Sequence, residues 1–536
     1  MKLEHLKRIR RAVSLILFIP LALSFLDFAN LIPLEWIKSA LSLQFIPSLL
    51  KFATLANVAA LGFLVTVLLT FLFGRVYCSS ICPLGTLQDI FARLARRKYS
   101  RPQKSFNKLR YGIFVATLVS ALGGSLFLLN ILDPYSNFGR IMTNLVKPMI
   151  VGVNNGVAFG LQTLGVYSLH AVEMKGVELS SLVFSIVVLV VLVIMAYRHE
   201  RLFCNTICPL GAFLGLLSKF SLYKIAINEQ TCLGCTSCER VCKGGCIDRQ
   251  AKTVDFTRCV GCYNCFHDCP TQGIVFVRSG KRSPVKSADA TAEDAIASGV
   301  TRSEKHPAKT GEKTDLARRD IVIKSLLFFT GTTQVAKKRI ISTKESTVAV
   351  VRTIPVVPPG AMSIEHFTGR CTACHLCVSA CPSQVLAPSF LEYGITGIMQ
   401  PRMKYTQGFC SFECTRCTEI CPSGAILPLS NESKKLSQLG TAKFVKDNCI
   451  VSTENKECGA CSEHCPTKAV NMVPYKGSLV IPEVKEEFCI GCGACEFACP
   501  TRPYKAIYVE GKAVHGVAKK REVKKIEEAV EEDFPF

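Results

Sequence analysis

Apolar residues are concentrated in the first two fifths of this chain. Four stretches there approach the roughly 20 residues that a bilayer crossing takes. They are 12–28, 52–73, 111–132 and 181–197. Their flanks assign an orientation. Residues 1–11 carry Lys2, Lys7, Arg8, Arg10 and Arg11. Residues 75–110 carry nine Lys or Arg against one acid, Asp89. The segments 30–51 and 133–179 carry only two and three basic residues. The positive-inside rule then puts the N-terminus and the 75–110 loop in the cytoplasm, and four spans return the chain there at Arg198. The first apolar segment lacks a small-residue cleavage site and is followed by more spans, so it does not read as a cleaved signal.

Residues 1–219 are therefore expected to form a four-span helical membrane domain. Residues 220–278 are soluble in character. Residues 279–317 are rich in Lys, Ser, Thr, Ala and Glu without apolar periodicity, which reads as a disordered linker. Segment 318–340 opens on Arg318-Arg319 and a weakly apolar run. Residues 341–515 read as a second soluble domain, and 516–536 as a charged, solvated tail. One repeat stands out within the membrane domain: GRVYCSSICPLGTLQDIFARL at 74–94 matches ERLFCNTICPLGAFLGLLSKF at 200–220. Each copy follows a span on its cytoplasmic side and carries C-x3-C-P.

The 29 cysteines now change the picture. A disulfide scaffold is small, secreted and poor in long apolar runs, which this chain is not. Six groups of four account for 24 cysteines. The first soluble region holds Cys232, Cys235, Cys238, Cys242 and Cys259, Cys262, Cys265, Cys269. The second holds four groups. These are Cys371, Cys374, Cys377, Cys381; Cys410, Cys414, Cys417, Cys421; Cys449, Cys458, Cys461, Cys465; and Cys489, Cys492, Cys495, Cys499. Groups one, two, three and six have the full C-x2-C-x2-C-x3-C run, and groups four and five vary its opening. Five groups end in Cys-Pro, and the first ends in Cys242-Lys243. This is the bacterial ferredoxin run, in which three close thiolates and a fourth from the partner group hold a four-iron cluster. Zinc sites instead use two C-x2-C pairs well apart. The expected fold is thus a helical membrane domain plus α+β bacterial-ferredoxin-like domains, with six [4Fe-4S] clusters.

Five cysteines remain. Cys246 sits where a ferredoxin has a small buried residue and reads as a structural thiol. Cys78, Cys82, Cys204 and Cys208 of the repeat stand symmetrically at the cytoplasmic surface. They form one more metal centre, a pair of redox dithiols, or a packed set of thiols. Two strings are decoys. CTACH (371–375) matches a haem-attachment motif but completes a ferredoxin group. DAIASGVTRS (294–303) only loosely resembles a covalent flavin site.

Arg318-Arg319 before IVIKSLLFF makes a poor span, with a lysine and several hydroxyls inside it. It fits a twin-arginine export signal better, the route for a domain that must cross the membrane already folded with its clusters. The alternative is an amphipathic cytoplasmic helix beside a basic pair.

These features resemble a known pair of proteins. Residues 1–278, with four spans, two C-x3-C-P-L-G motifs and a two-cluster ferredoxin, resemble the NapH and related MauN proteins. Residues 318–510 resemble NapG and MauM, and PPGAMSIEHFTGRCTACHLCVSACP (358–382) is the most specific stretch. The chain looks like a NapH–NapG fusion. Lys243 in place of proline and a mid-chain arginine pair depart from that pattern. The resemblance implies electron transfer from quinol, or from a cytoplasmic donor, to a periplasmic reductase or multihaem cytochrome. The membrane quinone pool is then a partner, and a quinol dehydrogenase component is the enzymatic reading. It also implies an inner-membrane protein whose last domain is periplasmic. Cluster one is expected on Cys232, Cys235, Cys238 and Cys269, and cluster two on Cys259, Cys262, Cys265 and Cys242. By likeness to other four-cluster proteins the last four groups are expected to pair in nested fashion, third with sixth and fourth with fifth; sequential pairing is the runner-up. His199 and Glu200, beside Cys204, are the quinone-site candidates. Rival readings are a reductase serving metal-centre maturation and a redox sensor.

The formal charge of +23 counts every cysteine as neutral. Each four-iron cluster with its thiolates carries about −2 to −3. Six clusters therefore offset much of the excess, and the rest includes the basic collar of the spans. Nucleic acid is not needed to explain it.

Overall fold

The computed structural model describes residues 5–27, 32–55, 62–94, 106–174, 177–278 and 348–521. The expected linker 279–317, the arginine-pair segment 318–340 and most of the tail 516–536 lie outside these residues.

Among the described residues, two helices are long and apolar enough to cross a membrane: α1 (His5–Leu26) and α11 (Leu179–Arg198). Neither of the other two expected spans is a single long helix among the described residues. Segment 52–73 falls on the end of α3 (Phe45–Leu55) and the 12-residue α4 (Gly62–Phe73). Segment 111–132 is α7 (Asn107–Leu122) followed by the short α8 (Phe127–Leu132). The break after α7 has a local cause. Gly124 takes φ +81°, the Ser125 N–H reaches back to the Ser120 carbonyl at 3.0 Å, and the Gly124 N–H to Ala121 at 3.1 Å. This is the left-handed glycine stop of a helix, closed by two backbone bonds.

The segments expected as loops are also helical. α2 (Leu34–Ser42) buries Ile37 and Leu41 and folds back on α1. It turns at 43–44 into α3. That turn meets Tyr77, whose hydroxyl donates to Gln44 Oε1 at 3.3 Å. On the other side α9 (Pro134–Ile141) is buried at every residue. Asp133 caps it, accepting from the Ser136 N–H at 2.8 Å, and Pro134 fills its first turn. A π-turn, Met142–Val146, joins α9 to α10 (Lys147–Thr163). Such turns re-aim side chains. Here Asn144 donates to Ser181 and Ser185 of α11 at 2.7 and 2.9 Å.

The sequence repeat is a structural repeat. α4 leads through α5 (Val76–Ser80) to α6 (Pro83–Leu94). α11 leads through α12 (Leu202–Thr206) to α13 (Pro209–Ser218).

Two cysteine-rich modules pack on this bundle, and α1 measures how they stand. Lys7, in its first turn, lies 3.7 Å from Asp268 of the first module. The Phe25 carbonyl, near its end, accepts from Ser379 of the second. A 22-residue helix is about 33 Å long, so the modules occupy opposite ends of the bundle. The first is closed by the antiparallel pair β1 (Tyr223–Ile227) and β4 (Ile274–Arg278), with the short pair β2 (Ile247–Asp248) and β3 (Thr253–Val254) between. The second holds three antiparallel pairs. β5 (Leu386–Pro388) pairs with β6 (Pro401–Met403), and β8 (Val470–Pro474) with β9 (Val480–Val484). β7 (Ser437–Phe444) runs along β10 (Ile507–Val517). The helical core is continuous into both modules, taking in Cys262 at one end and Cys374 at the other.

The second junction is tight. Arg140 Nε donates to the Ala373 carbonyl at 2.9 Å. A Cβ on Gly139 would fall 2.3 Å from the Cys374 carbonyl and 2.7 Å from the Phe25 ring. Gly139→Ala should therefore cost about 1–3 kcal/mol at the junction. With a specific protease site introduced within 279–347 and cleaved, wild-type 349–521 should co-elute with the bundle in size-exclusion chromatography. The variant should release it at lower denaturant.

Candidate metal centres

The ferredoxin groups gather as local trios joined by one distant cysteine. Tight turns shape them: Gly261 at φ +63° and Tyr263 at φ +57° flank Cys262, and Ala373 and His375, both left-handed, flank Cys374. In the first module, burial and then the charges of Cys235, Cys269 and Cys232 raise the Cys238 thiol. Burial with Cys262, Cys259 and Cys242 does the same for Cys265. These are the two sets expected from the sequence. Cys246 is buried beside the second, its sulfur 3.4 Å from that of Cys242.

In the second module the nested expectation is corrected. Cys377 is raised by burial and then by Cys374, Cys371 and Cys421. Cys417 is raised by burial, Cys410, Cys381 and Cys414. Cys461 is pushed up to about 12 by burial, Cys458, Cys499 and Cys449, and Cys495 feels Cys492, Cys489 and Cys465. Groups pair third with fourth and fifth with sixth. The four sets also follow one another in space. Cys377 senses Cys417 of the next set. The Cys410 N–H donates to the Cys492 carbonyl at 2.9 Å, and Cys495 senses Cys461. The order from the bundle outward is Cys371/374/377/421, Cys410/414/417/381, Cys489/492/495/465, then Cys449/458/461/499.

No three His, Cys, Asp or Glu side chains among the described residues close round a point as one metal ion requires. A thiolate reaches only about 2.3 Å to a single zinc, whereas a four-iron cube is a larger guest that holds its thiolates apart. The sets suit the larger guest. His375, the last residue of the haem-like string, is fully buried and its pKa is lowered to about 3 by burial and then by Arg140. Its Nε2–H donates to the Met399 carbonyl at 2.8 Å, and Nδ1 faces the Asn144 amide at 3.3 Å. Both ring nitrogens are engaged with protein.

Each module turns one set toward the bundle. In the first, Ser79 Oγ donates to the Gly261 carbonyl at 3.2 Å and Arg75 Nη1 to that of Thr257 at 3.1 Å. Lys243 completes the contact. Its Nζ lies 2.9 Å from Asp89 Oδ1 and 3.0 Å from Glu200 Oε2. The residue that breaks the Cys-Pro pattern is thus a buried clamp to the helical bundle. Asp89 also pairs with Arg201 at 2.9 Å and Arg10 at 3.3 Å. Burial opposes its ionisation, but Arg201, Lys243 and Arg10 outweigh it and hold the carboxyl well below the usual range. Glu200, a quinone-site candidate, is committed to Lys243. At the far junction the Tyr135 hydroxyl has no nitrogen or oxygen partner among the described residues. It faces the Cys374 thiol, and its pKa is held well above the usual range by burial first and Cys374 next.

Sequence reasoning missed Arg75, Arg201, Tyr135, Gly139 and Arg140. The first two were visible, three residues before the first cysteine of each repeat. The others lay in a segment expected as a loop.

Comparison with known proteins agrees with this chemistry. A family described as "4Fe-4S binding domain" matches residues 55–102 and 181–228, the two halves of the repeat. A "4Fe-4S dicluster domain" family matches 370–425 and 448–503, each enclosing one sequential pair of groups. The putative electron transport protein YccM of Escherichia coli is 24% identical over 219 residues, 38% of this chain and 51% of that protein. The methylamine utilization ferredoxin-type protein MauN of Paracoccus denitrificans is 29% identical over 172 residues, 32% of this chain and 48% of its own. MauM of Methylobacillus flagellatus is 30% identical over 146 residues, 25% of this chain and 59% of its own. The chain spans about half the length of these relatives. No solved structure matches it. The relatives are ferredoxin-type proteins with 4Fe-4S domains, and iron–sulfur electron transfer is the chemistry they support.

Asp89→Asn leaves three buried cations facing a neutral amide. The change should cost about 3–5 kcal/mol at the first junction, read as faster hydrogen exchange in 223–278. The carboxylate's contribution is complete above its ordinary pKa of about 3.9 and fades only as pH falls below that value. Separately, Tyr135→Phe removes a hydrogen bond to a cluster thiolate. It should lower the midpoint of one iron–sulfur signal in a redox titration and leave the rest in place.

Proposed function

We propose that the chain is an inner-membrane electron carrier that moves electrons from quinol, or a cytoplasmic donor, to a periplasmic reductase or cytochrome. Six [4Fe-4S] clusters would be held by the 24 cysteines of the six sets, each cluster supplying a one-electron couple. The observation that carries this reading is that both modules press one cysteine loop into opposite ends of a single helical core, at Cys262 and Cys374. The exposed basic residues Arg8, Arg11, Arg93 and Lys108 support a cytoplasmic side for the first module, which leaves the periplasmic side for the second. α4 and α7 serve as the second and third crossings, with α2–α3 and α8–α9 packed beside them. The protein's own groups do the positioning. Lys243, Asp89 and Arg75 seat the first module, and Arg140, Asn144 and Lys147 seat the second.

The same reading moves the quinol site away from His199 and Glu200. A cavity of about 200 Å³ lies between α10 and the second module, beside Cys381. Val151, Val172, Met174 and Leu386 give it an apolar wall, and Asp27, Lys147 and Glu178 supply polar and proton-accepting groups. A hydroquinone head fits that mixture. The test uses oxidised protein in proteoliposomes. Added quinol should bleach the iron–sulfur absorbance. Val151→Phe, which fills the cavity, should slow that bleaching at least tenfold and leave reduction by dithionite unchanged. No bleaching of wild type by quinol overturns the quinol reading.

A further inference from the structure

The two C-x3-C-P motifs meet across an approximate twofold relation, and each explains the other's residues. Arg75 Nη2 donates to the Cys204 carbonyl at 2.9 Å, and Arg201 Nη1 to the Cys78 carbonyl at 2.8 Å. Each guanidinium passes over the glycine of the opposite C-P-L-G. A Cβ on Gly85 would meet Arg201 Nη1 at 2.4 Å, and one on Gly211 would meet Arg75 Nη2 at 2.9 Å. That glycine also serves its own motif, since the Gly211 N–H donates to Cys208 Sγ at 3.2 Å. Cys82 and Cys208 stand at the N-terminal ends of α6 and α13, of 12 and 10 residues. There the peptide dipoles favour thiolate. The four cysteines are equally buried, at 4, 4, 4 and 5% exposure for Cys78, Cys82, Cys204 and Cys208.

The two pairs are brought together by shared contacts: one Arg75 nitrogen, Nη2, touches both Cys78 Sγ and the Cys204 carbonyl, and Gln88, on the helix that Cys82 leads into, reaches Cys204 Sγ. Two polar groups are turned on the sulfurs: Gln88 Nε2 lies 3.6 Å from Cys204 Sγ, and Arg75 Nη2 3.9 Å from Cys78 Sγ. Arg75 is 1% exposed. No carboxylate forms an ion pair with it among the described residues. Arg201 shares Asp89 with Arg10 and Lys243. A buried cation needs an anion or the structure loses several kcal/mol. Packed thiols or disulfides are neutral and do not supply one.

We propose that Cys78, Cys82, Cys204 and Cys208 together hold one additional [4Fe-4S] cluster, shared between the two repeats and balanced by Arg75 and Arg201. Four thiolates around a four-iron core carry about −2, the charge of two guanidinium groups with opposite sign. The site takes two ligands from each repeat, so it exists only when both halves of the bundle are assembled. It rests on the electron-carrier reading for its role, but not for its existence.

The experiment uses the full chain purified anaerobically in detergent, with iron and acid-labile sulfide measured per chain. Wild type should give about 28 iron, and Cys78→Ser/Cys204→Ser about 24. Equal values near 24 overturn the proposal and leave the six-cluster reading standing. A value near eight overturns the six-cluster reading instead. Loss of zinc, or of only two irons, in the double variant also overturns the proposal. Should that variant fail to fold, Gln88→Leu keeps all four thiols. It should retain about 28 iron and shift one redox signal to lower potential. If no signal moves, the centre is not beside Gln88 and the proposal fails.

Discussion

The crossing of Arg75 and Arg201 is the constraint on which the rest of the bundle depends. Each arginine starts in one repeat and ends on the backbone of the other. Arg75 continues to the Asn205 side chain at 2.7 Å and to Thr257 of the first module. Arg201 continues to Asp89, and through it to Lys243 beside Cys242. Two side chains thus tie both halves of the helical domain and the first iron–sulfur module into one polar network. Its members are buried, so removing any one strands the others in a low dielectric. The glycines of C-P-L-G follow from this network, because any side chain there would occupy the path of an arginine.

The other end of the bundle solves the same problem differently. There a backbone loop, 371–379, is inserted, and the bundle supplies donors for its carbonyls. Arg140 reaches Ala373, Lys147 reaches Ser379, and Ser379 in turn reaches Phe25. A loop that wraps a cluster has strained turns and few internal hydrogen bonds, so its carbonyls need partners from elsewhere. The π-turn after α9 serves that end by turning Asn144 toward His375. The first junction is held by charge networks and the second by donated hydrogen bonds to a loop. Both bring a cysteine ligand loop into the apolar core.

What was legible in the sequence was what is local. The six cysteine groups declare themselves because three ligands fall within a few residues and the turn between them must be tight. The fourth ligand is non-local, so its partner was open; the nested choice gave way to sequential pairing, Cys421 joining Cys371, Cys374 and Cys377. α1 and α11 were legible as continuous apolar helices. α2, α3, α8 and α9 were not, because short helices filling a core between longer ones have neither the length of a span nor the polarity of a loop. Arg75 was read as part of a basic collar that faces water. The mirrored position of Arg201, at the same offset from its own cysteines, was the signal that both do something inside the fold.

That distinction alters how the basic excess is understood. A positive collar orients spans through charges that stay hydrated, and it tolerates exchange of Lys for Arg or a shift by a residue. Arg10, Arg75, Arg140 and Arg201 are each 4% exposed or less. They cannot be orienting charges in that sense. Each reaches backbone carbonyls, and Arg75, Arg140 and Arg201 also lie beside the thiols of a cysteine set. Guanidinium suits this place better than ammonium, since its fixed fork bonds two or three carbonyls at once and keeps its charge in a dry site. The basic residues of this chain are therefore of two kinds, and only the buried kind is fixed residue by residue by partners inside the fold.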